Sequence, residues 1–326
     1  KFVIHANTPS YVGSHITGFA NMEKGMVAYL AENTGRPNGK LNVIPGFISP
    51  GDMREIKRIL EVFGAPYIMM PDTSGVLDAP MTGRFEMYPK GGTRITEIVD
   101  SGNSSHTLAL GQFASEEPAT ELERKCGVPL SVLNIPIGIE ATDAFVMTLS
   151  KLTGKDVPYI LEEERGQLVD LMLDCHPYFY GKKVAVFGDP DTVIALMEFL
   201  LSLGMIPRYV LTGTPGESFN KVVGRLLQDA GLTGKVKSAG DLFELHQWLK
   251  NEPVDLLIGN THGKYIARAE NIPFVRFGFP ILDRYAHQYL PTTGYKGAIR
   301  LIEKMADAML DKQDRECPEE DFELVM

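Results

Sequence analysis

The sequence predicts an α/β protein built from two Rossmann-like, doubly wound parallel-sheet domains in series, residues 1–154 and 155–326. Short apolar runs alternate with helical patterns along the whole chain, which is the rhythm of β-α-β units. The apolar runs are continuous, as expected when helices cover both faces of a parallel sheet. The same rhythm starts again after a long predicted helix at residues 159–180, which indicates a second domain of the same kind.

The first domain opens with a predicted strand at residues 2–5 and a helix at residues 14–32. We expect Asp52 to cap the next helix and Gly64 to close it, because these residue types suit those positions. Residues 72–107 are rich in glycine and proline, so they predict a long irregular excursion with a short helix near its end. The other predicted elements are strands at residues 41–45, 67–71, 107–110 and 130–133, and helices at residues 52–63, 93–100, 115–125 and from about 142.

The second domain follows the long helix at residues 159–180 and closes with a helix at residues 297–310. The acidic tail, residues 311–326, is expected to lie over a surface or a neighbouring subunit. Between them the pattern predicts strands at residues 184–187, 208–211, 236–238, 256–259 and 274–276, and helices at residues 192–203, 219–230, 241–250 and 263–269.

Composition excludes several classes of protein. The chain has 42 acidic and 32 basic residues and a net charge of -10, which argues against nucleic-acid binding. It contains neither a leader pattern nor an apolar run long enough to span a membrane, so we expect a cytoplasmic protein without membrane contact. The first residue is Lys1 and a buried strand is predicted directly after it, so we expect further sequence upstream.

The cysteines and histidines form no recognisable metal motif. The three cysteines, Cys126, Cys175 and Cys317, are widely spaced, and the pattern favours buried thiols in a reducing compartment. His15 and His176 are isolated and are interpreted as structural. The same interpretation holds for His262 and for the ion-pair cluster expected from Arg276, Asp283 and Arg284.

The turn FGDPD at residues 187–191 lies where a dinucleotide loop would lie, between a strand and a helix. The glycine spacing of a dinucleotide loop is missing, however, and two acidic side chains would repel a phosphate. We therefore reject nucleotide binding here and expect Asp191 to cap the helix that follows it.

Several motifs occur together in one order: TPSYVGSH at residues 8–15, NVIPG at 42–46, PDTSG at 71–75, ERG at 164–166 and RFGFPILDR at 276–284. With these motifs the chain resembles the nitrogenase molybdenum–iron protein β-chain family over essentially all its residues. The GYKGA motif at residues 294–298 and the tail CPEEDFE at 317–323 resemble the compact clostridial type.

The resemblance implies a β subunit of an α2β2 oxidoreductase complex that reduces dinitrogen to ammonia. In that family an ATP-hydrolysing iron-protein reductase passes electrons to an 8Fe-7S P-cluster shared with the α chain. The electrons then reach an iron–molybdenum cofactor that the α chain holds. The family's P-cluster cysteines lie in an upstream region, so the resemblance also implies a third, N-terminal domain that is missing here. No catalytic residue is expected in this chain.

Ser10 is the first candidate site residue. By resemblance it matches a serine that binds a P-cluster iron when the cluster is oxidised, and a hard alkoxide oxygen suits ferric iron. The competing interpretation is that Ser10 caps the helix that begins shortly after it.

Asp170 and Asp174 form the second candidate site. Their i, i+4 spacing places both carboxylates on one face of the long helix, where they could share a hard cation. By resemblance they match a calcium or iron site where two β subunits meet, completed by residues of the other copy. With only two carboxylates the cation would bind weakly, and a solvated acidic face is the competing interpretation.

Other functions remain open at this stage. A cofactor-assembly scaffold would share the fold, and so would the β chain of a vanadium or iron-only nitrogenase. A nucleotide-sugar or solute-binding protein with a cleft between two Rossmann-like domains is a further alternative. The motif TPSYVGSH favours the catalytic β chain over the scaffold, and the absence of a phosphate loop disfavours the solute-binding protein.

Overall fold

The first half of the protein forms a four-stranded parallel sheet. The computed structural model describes residues 3–9, 12–87 and 89–318. The sheet order is β2-β1-β3-β4, so the strand order reverses direction between β1 and β3. Its elements are α1 (His15–Leu30), β1 (Leu41–Ile44), α2 (Pro50–Val62), β2 (Tyr67–Met69), α3 (Ile95–Asp100), β3 (His106–Leu110), α4 (Gln112–Cys126), β4 (Leu130–Leu133) and α5 (Gly138–Thr153).

The second half forms a five-stranded parallel sheet in the order β7-β6-β5-β8-β9, which reverses between β5 and β8. Both reversals are topological switch points, where open α/β sheets leave a crevice. Its elements are α6 (Tyr159–Phe179), β5 (Lys183–Phe187), α7 (Pro190–Ser202), β6 (Ile206–Leu211), α8 (Glu217–Asp229), β7 (Lys235–Lys237), α9 (Leu242–Asn251), β8 (Leu256–Gly259), α10 (Lys264–Ala269), β9 (Phe274–Arg276) and α11 (Gly294–Glu316).

The two predicted parallel sheets and the short helix before β3 are confirmed, and three boundaries were wrong. Residues 3–9 form no strand, although their apolar run predicts one. The helix α11 extends to Glu316 and so includes part of the predicted tail. The helix α5 begins at Gly138, which has a φ of 82° and packs so closely on Phe199 that a Cβ would lie 2.6 Å from that ring. This contact requires a glycine. In the sequence, however, a glycine is typical of a break before a helix, so the predicted start of α5 lay too late.

One hydrophobic core joins the two sheets. It includes Val43 of the first sheet and Val184 of the second, together with Leu168 of α6 and Leu301 of α11. The helix α11 returns from the second sheet to pack against α5 and α6. Among the described residues, none of the helices is both long and apolar enough to cross a membrane.

Candidate functional site: the cleft between the two sheets

The carboxyl ends of both sheets open into one cleft, which holds a cavity of about 420 Å³. Residues 46–50 after β1, Asp189 and Thr192 after β5, and residues 276–282 at the end of β9 line it. The amino-terminal part of α11 contributes Arg300 and Lys304. This is the place where parallel sheets position ligands, because the loops after the strands diverge at a switch point.

The amino terminus of α1 is bonded across the mouth of the cleft. The Ser14 side chain caps α1 by accepting a hydrogen bond from the backbone N–H of Ile16. Its Oγ also lies 2.9 Å from Oγ1 of Thr214, which follows β6 of the second sheet. The neighbouring His15 Nε2 lies 3.0 Å from Oδ1 of Asp189. The segment at residues 12–15 is therefore connected to the loops of the second sheet.

The His15–Asp189 pair sits among aromatic rings. The imidazole lies edge-on to Phe47, with 5.1 Å between the ring centroids, and Phe47 lies 5.2 Å from both Phe19 and Phe279. The hydrogen bond that His15 donates to Asp189 raises the pKa of His15 above its usual value, although burial opposes the shift. This pairing agrees with the interpretation of His15 as a structural histidine. His15 has a partner 174 residues away in sequence, a contact that no local pattern shows.

Asp191 does not cap the helix that follows it, contrary to the prediction. Its carboxylate accepts hydrogen bonds, each of 2.9 Å, from the backbone N–H groups of Phe113 and Ala114 at the start of α4. Asp191 therefore caps a helix of the other sheet, and burial raises its pKa to about 6 despite those hydrogen bonds. Gly111 precedes α4 and a Cβ there would lie 2.6 Å from the Asp191 carboxyl carbon, so this close approach requires glycine.

Asp52 was also placed wrongly. Ser49 is the N-cap residue of α2, and Asp52 lies inside the first turn. One Asp52 oxygen accepts hydrogen bonds from the backbone N–H groups of Thr292 at 2.6 Å and Thr293 at 3.1 Å. The other oxygen accepts a hydrogen bond from the Ser49 hydroxyl at 2.7 Å. This carboxylate therefore fixes the start of α11 against α2 instead of capping its own helix.

The predicted cluster of Arg276, Asp283 and Arg284 is confirmed at the edge strand β9. The Arg276 guanidinium lies 2.9 Å from Asp283, and Arg284 lies 3.5 Å from the same carboxylate. Arg276 holds the pKa of Asp283 down at about 2, assisted by a hydrogen bond from Thr261. The cluster orders residues 276–284, which form one wall of the cleft.

Of the predicted site residues, Ser10 lies outside the described residues. Asp170 and Asp174 are both exposed on α6. Within residues 3–9, 12–87 and 89–318, no group of three or more His, Cys, Asp or Glu side chains is arranged to hold a metal. The cation site predicted at Asp170 and Asp174 stays a prediction, because the two carboxylates are the part of it that this chain supplies.

The outer and inner faces of α6 differ. Leu168 and Phe179 are buried in the core, whereas Leu173 and His176 are exposed beside the two aspartates. Within this chain, α6 is therefore buried along its inner stripe alone. The exposed fraction of Leu173 is 68%, which leaves a large apolar side chain facing solvent.

The cysteines are separate from one another. Cys126 is buried at the end of α4, and burial raises the pKa of its thiol. Cys175 lies on α6, where burial also raises the pKa of the thiol, and Cys317 follows α11. Since no three His, Cys, Asp or Glu side chains of the described residues are arranged to hold a metal, this part of the chain does not by itself fit an iron–sulfur cluster.

Sequence reasoning missed three residues. Glu23 is a buried glutamate of α1, and Arg300 and Lys304 line the cleft from α11. The spacing of Arg300 and Lys304 places them on one helix face, a signal that was available but common. No sequence signal distinguishes Glu23 from an exposed glutamate.

Comparison with known proteins places the chain. Residues 1–310 match the model of the nitrogenase component 1 type oxidoreductases. The chain is 63% identical over 326 residues to the nitrogenase molybdenum–iron protein β chain of Clostridium pasteurianum. The match covers all of this chain and 71% of that relative. The chain belongs to the nitrogenase component 1 family, as a molybdenum–iron protein β chain. It is thus an oxidoreductase component.

Other nitrogenase proteins agree with this placement. The β chain from Nostoc is 39% identical over 315 residues, and the match covers 95% of this chain and 61% of the relative. The solved structure of nitrogenase Cp1 at pH 6.5 superposes with a TM-score of 0.98 at 62% identity, over 99% of this chain and 71% of that one. A second nitrogenase chain, at 15% identity and a TM-score of 0.69, shares the fold. Nitrogenase membership implies iron–sulfur cluster binding and an α/β assembly.

Proposed function

We propose that the chain is the β subunit through which a nitrogenase molybdenum–iron component receives electrons from an ATP-hydrolysing iron-protein reductase. The electrons serve the reduction of dinitrogen at a cofactor held by the α chain. The match to the clostridial β chain, 63% identical over the whole of this chain, is the observation that carries the proposal. Because the described residues hold no group of side chains arranged to bind a metal, their part in this proposal is to pack against the partner subunits and position them.

Activity of the reconstituted complex tests the proposal. The full-length chain, expressed anaerobically with its α chain, should support acetylene and dinitrogen reduction when the reductase and ATP are present. A cofactor-assembly scaffold would bind metal clusters but release them to an acceptor protein and show no such activity. A vanadium or iron-only system would give an active complex in which metal analysis finds no molybdenum.

We propose further that Ser10 supplies an oxygen ligand to the P-cluster in its oxidised state. Replacement of Ser10 by alanine in the full complex should raise the reduction potential of the oxidised couple, because an anionic oxygen favours ferric iron. The reduced cluster should be unchanged. Ser14→Ala is the matched control, since Ser14 caps α1 and its loss should cost about 1 kcal/mol of stability without changing the potential. A Ser10→Ala variant that behaves like Ser14→Ala would disprove the ligand.

We also propose that the outer face of α6 docks a second copy of the β chain. Leu173 and His176 are exposed there beside Asp170 and Asp174, and an exposed apolar side chain next to carboxylates suits a subunit contact with a shared cation. Calcium or iron is the expected cation. The double variant Asp170→Asn, Asp174→Asn should lose this cation by metal analysis of the assembly. Retention of the cation would exclude these two ligands.

We propose that the boundary between the two domains lies between residues 154 and 155. Gly154 has a φ of 66° and ends α5, and α6 begins a few residues later. Limited proteolysis should cut between these helices before it cuts either sheet.

A further inference from the structure

The cavity between the two sheets has mostly aromatic and apolar walls on one side. Phe19, Phe47 and Phe279 form a group in which neighbouring rings meet edge to face, and all three line the cavity. Met53 and Ile137 continue the apolar surface toward the floor. A cavity of about 420 Å³ with such walls is in the size range that encloses a small organic molecule.

Two of the three cations that line the same cavity belong to α11. Arg300 and Lys304 lie four residues apart on α11, so their side chains project from one face of the helix. Arg300 donates hydrogen bonds from Nη1 to the carbonyl oxygens of Leu290 and Pro291, at 2.5 and 3.4 Å, and among the described residues it forms no ion pair. Among the residues that the structure describes, the Lys304 ammonium makes neither a hydrogen bond nor an ion pair.

The acidic groups of the cavity are already engaged elsewhere. Both carboxylate oxygens of Asp52 accept hydrogen bonds from Ser49, Thr292 and Thr293. Asp189 pairs with His15. The third cation, Arg276, is paired with Asp283 and is not available to a ligand. Among the described residues, Arg300 and Lys304 are therefore the arginine and lysine of the cavity that form no ion pair.

Burial makes both charges unfavourable without an anion. Burial lowers the pKa of Lys304 to about 8, and the nearby Arg300 charge lowers it too, while Asp52 and Glu303 oppose the shift. Burial also lowers the pKa of Arg300, against the same two carboxylates. A negative group placed between the two side chains would relieve this cost, because it would pair directly with both cations.

We propose that this interdomain cavity binds a small organic carboxylate, whose carboxylate pairs with Lys304 and Arg300 while its apolar body lies against Phe19, Phe47 and Phe279. A carboxylate fits better than a free phosphate, because the nearby backbone N–H groups of Thr292 and Thr293 already donate to Asp52. The proposal concerns binding by this subunit alone and stands apart from the electron-transfer role.

Equilibrium dialysis of the full-length protein against radiolabelled 3-phenylpropionate tests the site. We expect saturable binding of one molecule per chain. Binding should weaken about tenfold or more in Lys304→Met and in Arg300→Met, because a charge-assisted hydrogen bond is lost. Lys312→Met is the matched control, since Lys312 lies on the same helix outside the cavity and pairs with Glu316 at the surface. It should bind as the parent does.

The neutral amide, 3-phenylpropanamide, separates charge recognition from simple filling of an apolar cavity. It should bind weakly, and with the same affinity in the parent and in Lys304→Met. Inorganic phosphate should not compete with the carboxylate. Circular dichroism melting of each variant confirms that it is folded. Absence of saturable binding in the parent, equal binding of acid and amide, competition by phosphate, or parental affinity in both folded cavity variants would each overturn the proposal.

Discussion

The cleft between the sheets and the outer face of α6 differ in whether their side chains are bonded within the chain or exposed. In the cleft, polar side chains bond to groups far away in the sequence, as Asp191 does with the start of α4 and Asp52 with the start of α11. On the outer face of α6, Leu173 and both aspartates are exposed. These contacts of the cleft lie within one chain, so their residues should control the stability of that chain. The α6 face should control assembly.

The largest effect is expected at Asp191. Its replacement by alanine leaves the backbone N–H groups of Phe113 and Ala114 without their acceptor, so we expect the free energy of unfolding to fall by about 2–3 kcal/mol. Urea denaturation of the full-length chain measures this. Asp241→Ala is the matched control, because Asp241 caps α9 at an exposed site and should cost about 1 kcal/mol. Equal losses in the two variants would contradict a special role for the contact between sheets.

Glu23 lies on the buried face of α1, and neither of its carboxyl oxygens has a hydrogen-bond partner among the described residues. It therefore gives a second test of how polar groups within the chain control stability. Replacement by methionine should raise the free energy of unfolding by about 1–2 kcal/mol at pH 7, since it removes an unpaired polar group. Glu117→Met, at the surface, is the control and should have little effect.

The pH dependence gives a second check on Glu23. Burial raises the pKa of Glu23 well above its usual value, so the folded chain keeps the proton that the unfolded chain releases. Stability of the parent should therefore fall as the pH rises above the usual glutamate pKa. The advantage of Glu23→Met should grow over the same range. An advantage that is constant with pH would show that the carboxyl group is not titrating.

A smaller effect is expected at His15. Because Asp189 raises its pKa, the pair's contribution is fully present below the usual histidine pKa and is lost as the pH rises through the raised value. Nearly half of the His15 side chain is exposed, so we expect less than 1 kcal/mol. Thermal melting of parent and His15→Gln between pH 5.5 and 8.5 should converge at the high end. A difference between the parent and His15→Gln that does not change with pH would contradict this role of the pair.

Local signals in the sequence predicted most of the fold. Continuous apolar runs located the strands of both sheets, and the helical pattern placed the start of α1 at residue 14, one residue before its first helical residue. Two failures at predicted helix caps share one cause. Asp52 and Asp191 were assigned to their own helices, whereas their partners lie 240 and 78 residues away. An aspartate near the start of a helix looks the same in the sequence whether it caps that helix or a distant one. The sequence pattern therefore cannot distinguish the two kinds of cap.

Part of the candidate site could likewise be predicted from the sequence, and part could not. The motif at residues 8–15, together with the other motifs in the same order, identified the family, because that order of residues is specific. Lys304 and Arg300 could not be selected in advance, since cations at i, i+4 are ordinary on exposed helices. Their interest comes from burial, which depends on how α11 packs against the first sheet.

The mass of the assembly tests most directly whether this chain is a β subunit that docks through α6. Light scattering of the full-length chain purified with its α chain should give two copies of each. Leu173→Glu should reduce the assembly to one copy of each, because a charge enters an apolar contact beside two carboxylates, while the stability of the isolated chain changes by less than about 0.5 kcal/mol. Phe243→Glu, an equally exposed apolar position on α9, should leave the mass unchanged. A parent that does not bind the α chain, or a Leu173→Glu variant that keeps the four-chain mass, would contradict the account.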